Sequence, residues 1–381
     1  LLEIEKEIRM LKNFINNIKY SKDDPKNYEI KIQPNNDVDY NSNPDAYLLT
    51  SSMQIKNDLF PKIYQSINEV KEILQLDDIY NFYVNPDNSS ANAYCKVMPR
   101  SDRADIIFTS RLIELLDVNE LKYIVAHEIA HHQYQHYLYP NPKDAENQLR
   151  YFNLVNLQKN AEISADRLGF IVLGDLEQTM KAMIKISSGL SSEHIKYNFD
   201  NFMNQLEDLK KLESNPYLMN SSHPSIFTRA QAVLWFSQSN EYMNYNDNPN
   251  KGLYDLSEVD HLIDNAITEL ISKDQDQIFG DRSRTCLFWC LVYLILVDKK
   301  FTKEEQKYLS TIFSNQKVTS LKSFLINSNS DEIEHRMKSE LYRSKDLPKA
   351  KKTEIKEKLK EYIEKFSSSN DMSLIKAHGK I

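Results

Sequence analysis

The sequence predicts a mainly α protein of the α+β class, in which a domain with a small three- or four-stranded sheet is followed by an all-helical domain. Three observations carry that prediction. Only 6 glycines occur in 381 residues, too few for hairpin-rich barrels or glycine-loop nucleotide folds, which need residues tolerant of positive φ. Apolar residues recur at helical spacing along most of the chain, whereas β-type runs are confined to three short segments before residue 110. At 44.7 kDa the chain exceeds one ordinary domain, and 41% apolar with 27% charged residues describe a globular chain with a large core.

The elements follow in order. Leu1, Ile4, Ile8, Leu11, Ile15 and Ile18 lie at helical spacing, and the stretch SKDDPKNYEIKIQPNNDVDYNSNPDAY then breaks all periodicity. Residues 1–50 therefore read as an N-terminal helix and linker. Helical spacing returns over 55–76, and strands at 79–84 (IYNFYV), 91–98 (ANAYCKVM) and 104–109 (ADIIFT) form one small sheet. Helices are expected over 110–116, 119–139, 144–158, 161–173, 175–188, 198–213 and 224–238. The Asn- and Gly-containing stretch 239–255 reads as a boundary, which gives a first domain at 51–245 and a helical one at 256–370.

Composition excludes several function classes. A net charge of −7 leaves no basic footprint for a phosphate backbone, so no nucleic-acid partner is expected. The three cysteines, Cys95, Cys286 and Cys290, make neither a disulfide framework nor a CxxC knuckle and point to a reducing, cytoplasmic setting. The longest apolar run, Cys286 to Val297, has 12 residues, against the roughly 18 to 20 that cross a bilayer. It reads as a buried helix, and no transmembrane segment is expected. The amphipathic, charged N-terminus is no signal peptide, although the chain does not open on Met and a removed targeting segment stays open.

The informative segment is His127-Glu128-Ile129-Ala130-His131, an H-E-x-x-H inside a strong helix pattern. Asp117 followed by Glu120 makes a capping box at the helix start, and Pro140 and Pro142 stop it. Residues four apart lie about 40° apart around a helix, so His127 and His131 present two imidazoles to one side, a spacing that one tetrahedral zinc bridges. Glu128 flanks that face. A second helical pair, Glu162 and Asp166, follows a short helix-loop-helix distance downstream. Catalytic zinc takes three protein ligands and keeps one open position, and Glu162 supplies the third. Asp166, one turn on, is placed to accept a hydrogen bond from the outward ring nitrogen of a ligand histidine.

Four segments in this order, NAYCKVMPR (92–100), ADIIFTSRLIELLDVNELKYIVAHEIAHH (104–132), NAEISADRLGF (160–170) and SSHPSIFTRAQAV (221–233), resemble the HtpX and CAAX prenyl protease family of gluzincin zinc metallopeptidases. The resemblance implies a gluzincin-type domain with one zinc ion per chain held by His127, His131 and Glu162. It further implies Glu128 as catalytic base, Asp166 as the partner of a ligand histidine, and Asn92, Ala93 and Tyr94 on a substrate-docking edge strand. Integral members of that family carry transmembrane helices that this chain lacks, which points to the soluble branch and away from prenylated substrates. The segment 291–313 looks like a TerB-type helical domain, with Asp298, Glu304 and Glu305 in the acidic positions. A helix starting at Thr302 explains the two glutamates equally well.

The resulting expectation is a zinc endopeptidase that cleaves extended or unfolded polypeptide added antiparallel to strand 91–98. The alternative is an interaction or sensor protein that keeps the zinc fold and recruits a protein partner through its helical C-terminal domain; hydrolysis of a non-peptide substrate is a third reading. His223 and Arg229 complete the candidate set. Either is a candidate donor to the oxyanion of the transition state; His223 is also a candidate removable fourth ligand, and Arg229 a candidate partner of Asp166. His132 and His136 lie about 140° round the wheel from the His127/His131 face and default to solvent. Cys286 and Cys290 default to buried inert thiols, and Cys95 is a minor candidate for an inhibitory thiolate.

Overall fold

A computed structural model describes residues 2–28, 30, 44–76, 79–97, 103–212, 216–249, 251–297, 301–327, 330–345 and 347–366. Asp298 and the end of the helical block beyond Phe366 lie outside the described residues. The chain forms two compact units, one of Leu1–Glu146 with Tyr151–Ser272, the other of Asn147–Arg150 with Lys273–Ile381.

The three β-type runs become β2 (Tyr80–Asn85), β3 (Ala93–Val97) and β4 (Ala104–Thr109), joined by a two-residue β1 (Met53–Gln54) in the order β1-β2-β4-β3. β2 and β4 run parallel, Tyr80 opposite Ala104 and Asn85 opposite Thr109, while β3 pairs antiparallel with β4 from Ala93/Phe108 to Val97/Ala104. Every residue of β4 is buried, as an interior strand with an unbroken apolar run should be. Its one charge, Asp105, is met by Arg103 at 3.0 Å and by the Asn81 amide at 3.1 Å. Among the described strands β3 is an edge of the sheet.

Helices α1 (Leu2–Asn17), α2 (Pro44–Ser51), α3 (Pro61–Leu74), α4 (Ser110–Leu115), α5 (Val118–Gln133), α6 (Gln148–Leu173), α7 (Leu176–Ser188), α8 (Phe199–Lys210), α9 (Pro216–Asn220), α10 (Ile226–Ser237) and α11 (Asn240–Tyr245) belong to the first unit, apart from the opening residues of α6. The capping box forms as the sequence predicts: Asp117 accepts from the Glu120 amide at 2.9 Å and Glu120 accepts from the Asp117 amide at 2.9 Å. α5 stops at Gln133, six residues before the expected end, because Gln135 takes a left-handed backbone (φ 60°). α6 is one helix where two were expected. The polar pair at the supposed break is buried and bonded, Lys159 to the Leu218 carbonyl and Asn160 to the Lys22 carbonyl and the Tyr28 hydroxyl.

α5 and α6 approach closely at Gly169. A Cβ there would lie 2.6 Å from the Tyr123 ring and 2.8 Å from the Tyr123 carbonyl oxygen, so only glycine permits this spacing. Around the pair the core gathers Ile106 and Phe108 of β4, Val125 and Ile129 of α5, and Ile163 and Phe170 of α6.

The helix α12 (Leu256–Val297) contributes residues to both units, its later half to the second. There Cys290, Leu291 and Leu294 are fully buried with Leu309 of α13 (Lys303–Ile312), Leu321 of α14 (Asn315–Asn327), Met337 of α15 (Ser330–Arg343) and Leu359 of α16 (Lys349–Phe366). Cys286 and Cys290 are buried in this core, as their apolar helix predicts. Thr302 and Glu305 form a second capping box, and the free oxygen of Glu305 accepts from the buried Tyr362 hydroxyl at 2.6 Å. That carboxylate is accounted for by the helix start.

Candidate metal centre

α5 carries His127 and His131 one turn apart, and α6 brings Glu162 against them. The two Nε2 atoms lie 3.2 Å from each other, and Glu162 offers one oxygen to each, both at 3.5 Å. Tetrahedral bonds of about 2.0–2.1 Å place neighbouring ligand atoms about 3.3–3.4 Å apart. The Nε2 pair is close to that spacing and each Glu162 oxygen approaches a different Nε2, so the three side chains offer a donor set within reach of one tetrahedral cation. Among the described residues this is the one group of three His, Cys, Asp or Glu side chains able to hold a metal.

Asp166 stands behind His127, its Oδ1 3.0 Å from the outward Nδ1. The approach is close but not aligned as a formed hydrogen bond, so the buried Nδ1 is held by charge. The carboxylate is itself pinned by the Tyr123 hydroxyl at 2.6 Å and by Arg229, whose Nε and Nη2 reach its two oxygens at 2.7 and 2.6 Å. Arg229 also sits 3.3 Å from Glu162. Its guanidinium is thereby committed to carboxylates. Sequence reasoning had no signal for Tyr123, whose role depends on α5 and α6 packing together.

These contacts set the charge states. Burial works against the charged form of Asp166, yet the Arg229 guanidinium dominates and holds its carboxyl down at about 2. Glu162 is likewise desolvated, and Arg229 and His223 hold it well below the carboxylate range. Burial pulls His127 down, but Asp166 and Glu162 together raise it to about 10; burial, with His136, His127 and Arg229 nearby, takes His131 well below its usual value against the pull of Glu162. Glu128 has no such partner, and burial lifts it to about 7 against the pull of His127. Two anionic carboxylates behind two imidazoles favour a cation.

A cleft of about 450 Å³ opens onto this group, lined among others by Asn92, Ala93, Tyr94, Glu128, His223 and Arg229. Every site residue expected from the sequence borders it except Asp166, which is fully buried behind. His223 is largely exposed, with its Nδ1 3.0 Å from Glu162. Its backbone is tied by Ser221, whose hydroxyl accepts from the His223 amide and donates to the His223 carbonyl. Cys95 shares the cleft, and burial holds its thiol well above the usual range, which disfavours a thiolate.

Two expectations are corrected. His132 is half-buried, its Nδ1 2.8 Å from the Tyr80 hydroxyl. His136 is buried, with Nδ1 2.8 Å from Nδ1 of His131. The wheel argument failed because α5 has already ended: the left-handed Gln135 turns the chain into the short 3-10 turn His136–Leu138, which swings His136 back towards His131.

Residues 60–153 match the model of peptidase family M48. The plastoglobule-localized metallopeptidase 48 of Arabidopsis thaliana, a chloroplastic protein, is 27% identical over 215 residues, covering 51% of this chain and 61% of that protein. The chain thus spans less than two thirds of that relative's length. No solved structure matches. Among the described residues no helix is long and apolar enough to cross a membrane.

Proposed function

We propose that this chain is a zinc endopeptidase of peptidase family M48 that cleaves extended or unfolded polypeptide. The observation that carries the reading is the cluster of His127, His131 and Glu162 donors, its Nε2 atoms 3.2 Å apart and each 3.5 Å from one Glu162 oxygen, opening onto a cleft that Glu128 lines. His127, His131 and Glu162 would hold the ion, and Asp166 would keep the His127 proton on Nδ1. When bound, zinc supplies Lewis acidity to the scissile carbonyl and to the attacking water.

The chain's own residues do the rest. Glu128, which lines the cleft beside the candidate ligands, would take a proton from water and return it to the leaving amine. β3 stands at the edge of the described sheet with Ala93, Tyr94 and Cys95 lining the cleft, and an extended segment would add to it there. Selection through main-chain bonds favours unfolded stretches over folded ones. Because Arg229 is bound to two carboxylates, His223, exposed at the cleft, is the better candidate to donate to the developing oxyanion. The helical unit beyond residue 272 would tune access or recruit a partner.

The test is direct. The full chain is incubated with zinc and an unfolded casein-like substrate, with and without a chelator, beside Glu128→Gln. Chelator-sensitive fragments from the parent alone are expected; fragments that survive both chelation and the substitution would overturn the reading.

A further inference from the structure

Asp23 lies between α1 and the 3-10 turn Pro25–Tyr28, upstream of the family match, and is 1% exposed. Its Oδ1 accepts from the Tyr139 hydroxyl at 2.7 Å. Its Oδ2 accepts from Ser164 at 2.7 Å and faces Nε2 of His136 at 2.8 Å, while Lys19 stands 3.6 Å away. Nδ1 of His136 meets Nδ1 of His131, whose Nε2 belongs to the metal triangle.

One arrangement of protons satisfies this chain. For His131 to offer the Nε2 lone pair to a cation, its proton must sit on Nδ1 and be donated to His136. His136 Nδ1 is then an acceptor, so its own proton is on Nε2 and is donated to Asp23, which as a carboxylate only accepts. Reversing the order would protonate Nε2 of His131 and close the site. Asp166 stands 3.0 Å behind Nδ1 of His127, holding it by charge and without an aligned hydrogen bond.

The segment bearing Asp23 is fastened by α6 itself. Ser164 accepts from the Tyr20 amide at 3.1 Å, Asn160 donates to the Lys22 carbonyl at 3.2 Å, and Arg167 donates to the Ile18 carbonyl at 3.0 Å. Asn160, Ser164 and Arg167 form one stripe of the helix, and Glu162 and Asp166 form another. The helix that carries the third candidate ligand thus also holds the carboxylate acting on the second.

We propose that Asp23 and His136 are positioning residues that fix the tautomer and aim of His131, making the N-terminal segment a working part of the metal centre. The inference rests on the metal-centre reading above. It is tested on the full chain by chelator competition for zinc and by the visible spectrum of the cobalt form. Asp23→Asn and His136→Leu should each weaken zinc by about 10- to 100-fold and alter the cobalt bands, while His136→Asn, which restores an acceptor for His131, should stay within about threefold of the parent.

Circular dichroism of the metal-free proteins checks folding. Zinc held within about twofold of the parent by folded Asp23→Asn, or His136→Asn as weak as His136→Leu, would overturn the inference. If His136→Leu does not fold, Asp23→Asn against His136→Asn decides it. A parent that binds no zinc overturns the metal-centre reading and this inference with it; a parent that binds zinc beside unchanged variants overturns this inference alone.

Discussion

Arg229 grips Asp166 through two parallel hydrogen bonds, Nε to Oδ2 at 2.7 Å and Nη2 to Oδ1 at 2.6 Å, and so fixes the carboxylate that faces His127. The planar fork cannot be reproduced by an ammonium. Asp166→Ala should weaken zinc or lower activity by about 10- to 100-fold, and Arg229→Lys should fall between that variant and the parent. Zinc competition with a chelator measures both, and unchanged affinity in Asp166→Ala would remove it from the site.

Glu128 lines the cleft and is absent from the ligand triangle. Glu128→Gln should therefore keep about one zinc per chain while losing proteolysis. Zinc content by elemental analysis, beside casein cleavage, checks the split. Retained cleavage would disqualify it as the base.

His223 reaches Glu162 from an exposed position, so its loss disturbs little packing. As an oxyanion donor, its replacement by alanine should lower turnover by about 10²- to 10³-fold with little change in zinc content. Higher basal activity would instead mark it as a removable ligand, and unchanged kinetics would end both roles.

Gly169→Ala drives a Cβ into the Tyr123 ring and carbonyl. Backbone cannot give as a flexible side chain can, so a loss of about 1–3 kcal/mol or more is expected, read as a lower urea midpoint. Tyr123 also donates to Asp166, so zinc affinity should fall as well.

Lys159 is buried and burial lowers its pKa to about 8. Between about pH 8 and 10.4 Lys159 then binds more protons in the unfolded chain than in the folded one, so its own contribution to stability rises with pH across that window, while those of the buried tyrosines and Cys95, whose pKa burial raises, fall. The rise should be on the order of 3 kcal/mol and absent in Lys159→Met. Urea midpoints of the parent and of Lys159→Met at the two ends of the window test it, and a difference between them that does not change with pH would contradict it.

What was legible in the sequence was local. The spacing of His127 and His131, the pair Glu162 and Asp166, the Asp117 capping box and the helix start at Thr302 all depend on residues within one helical turn. The continuity of α6 was hidden because Lys159 and Asn160 look like surface residues until Leu218, Lys22 and Tyr28 arrive to bond them. His136 was misread for a related reason: a helical wheel has no meaning past a left-handed Gln135. Asp23 had no signal at all, since 113 residues separate it from His136.

The sheet has two edges of unequal kind. β1 is two residues long, too short to template another strand, whereas β3 offers five. A strand at the edge of a sheet does not distinguish a client peptide from a second copy of the same chain. Lys96, held over the rings of Tyr47 and Tyr94, sets a charge on that rim and makes flat self-stacking unfavourable. The openness that would let this strand seize a substrate is thus also its hazard at high concentration, and neutralising Lys96 should favour aggregation.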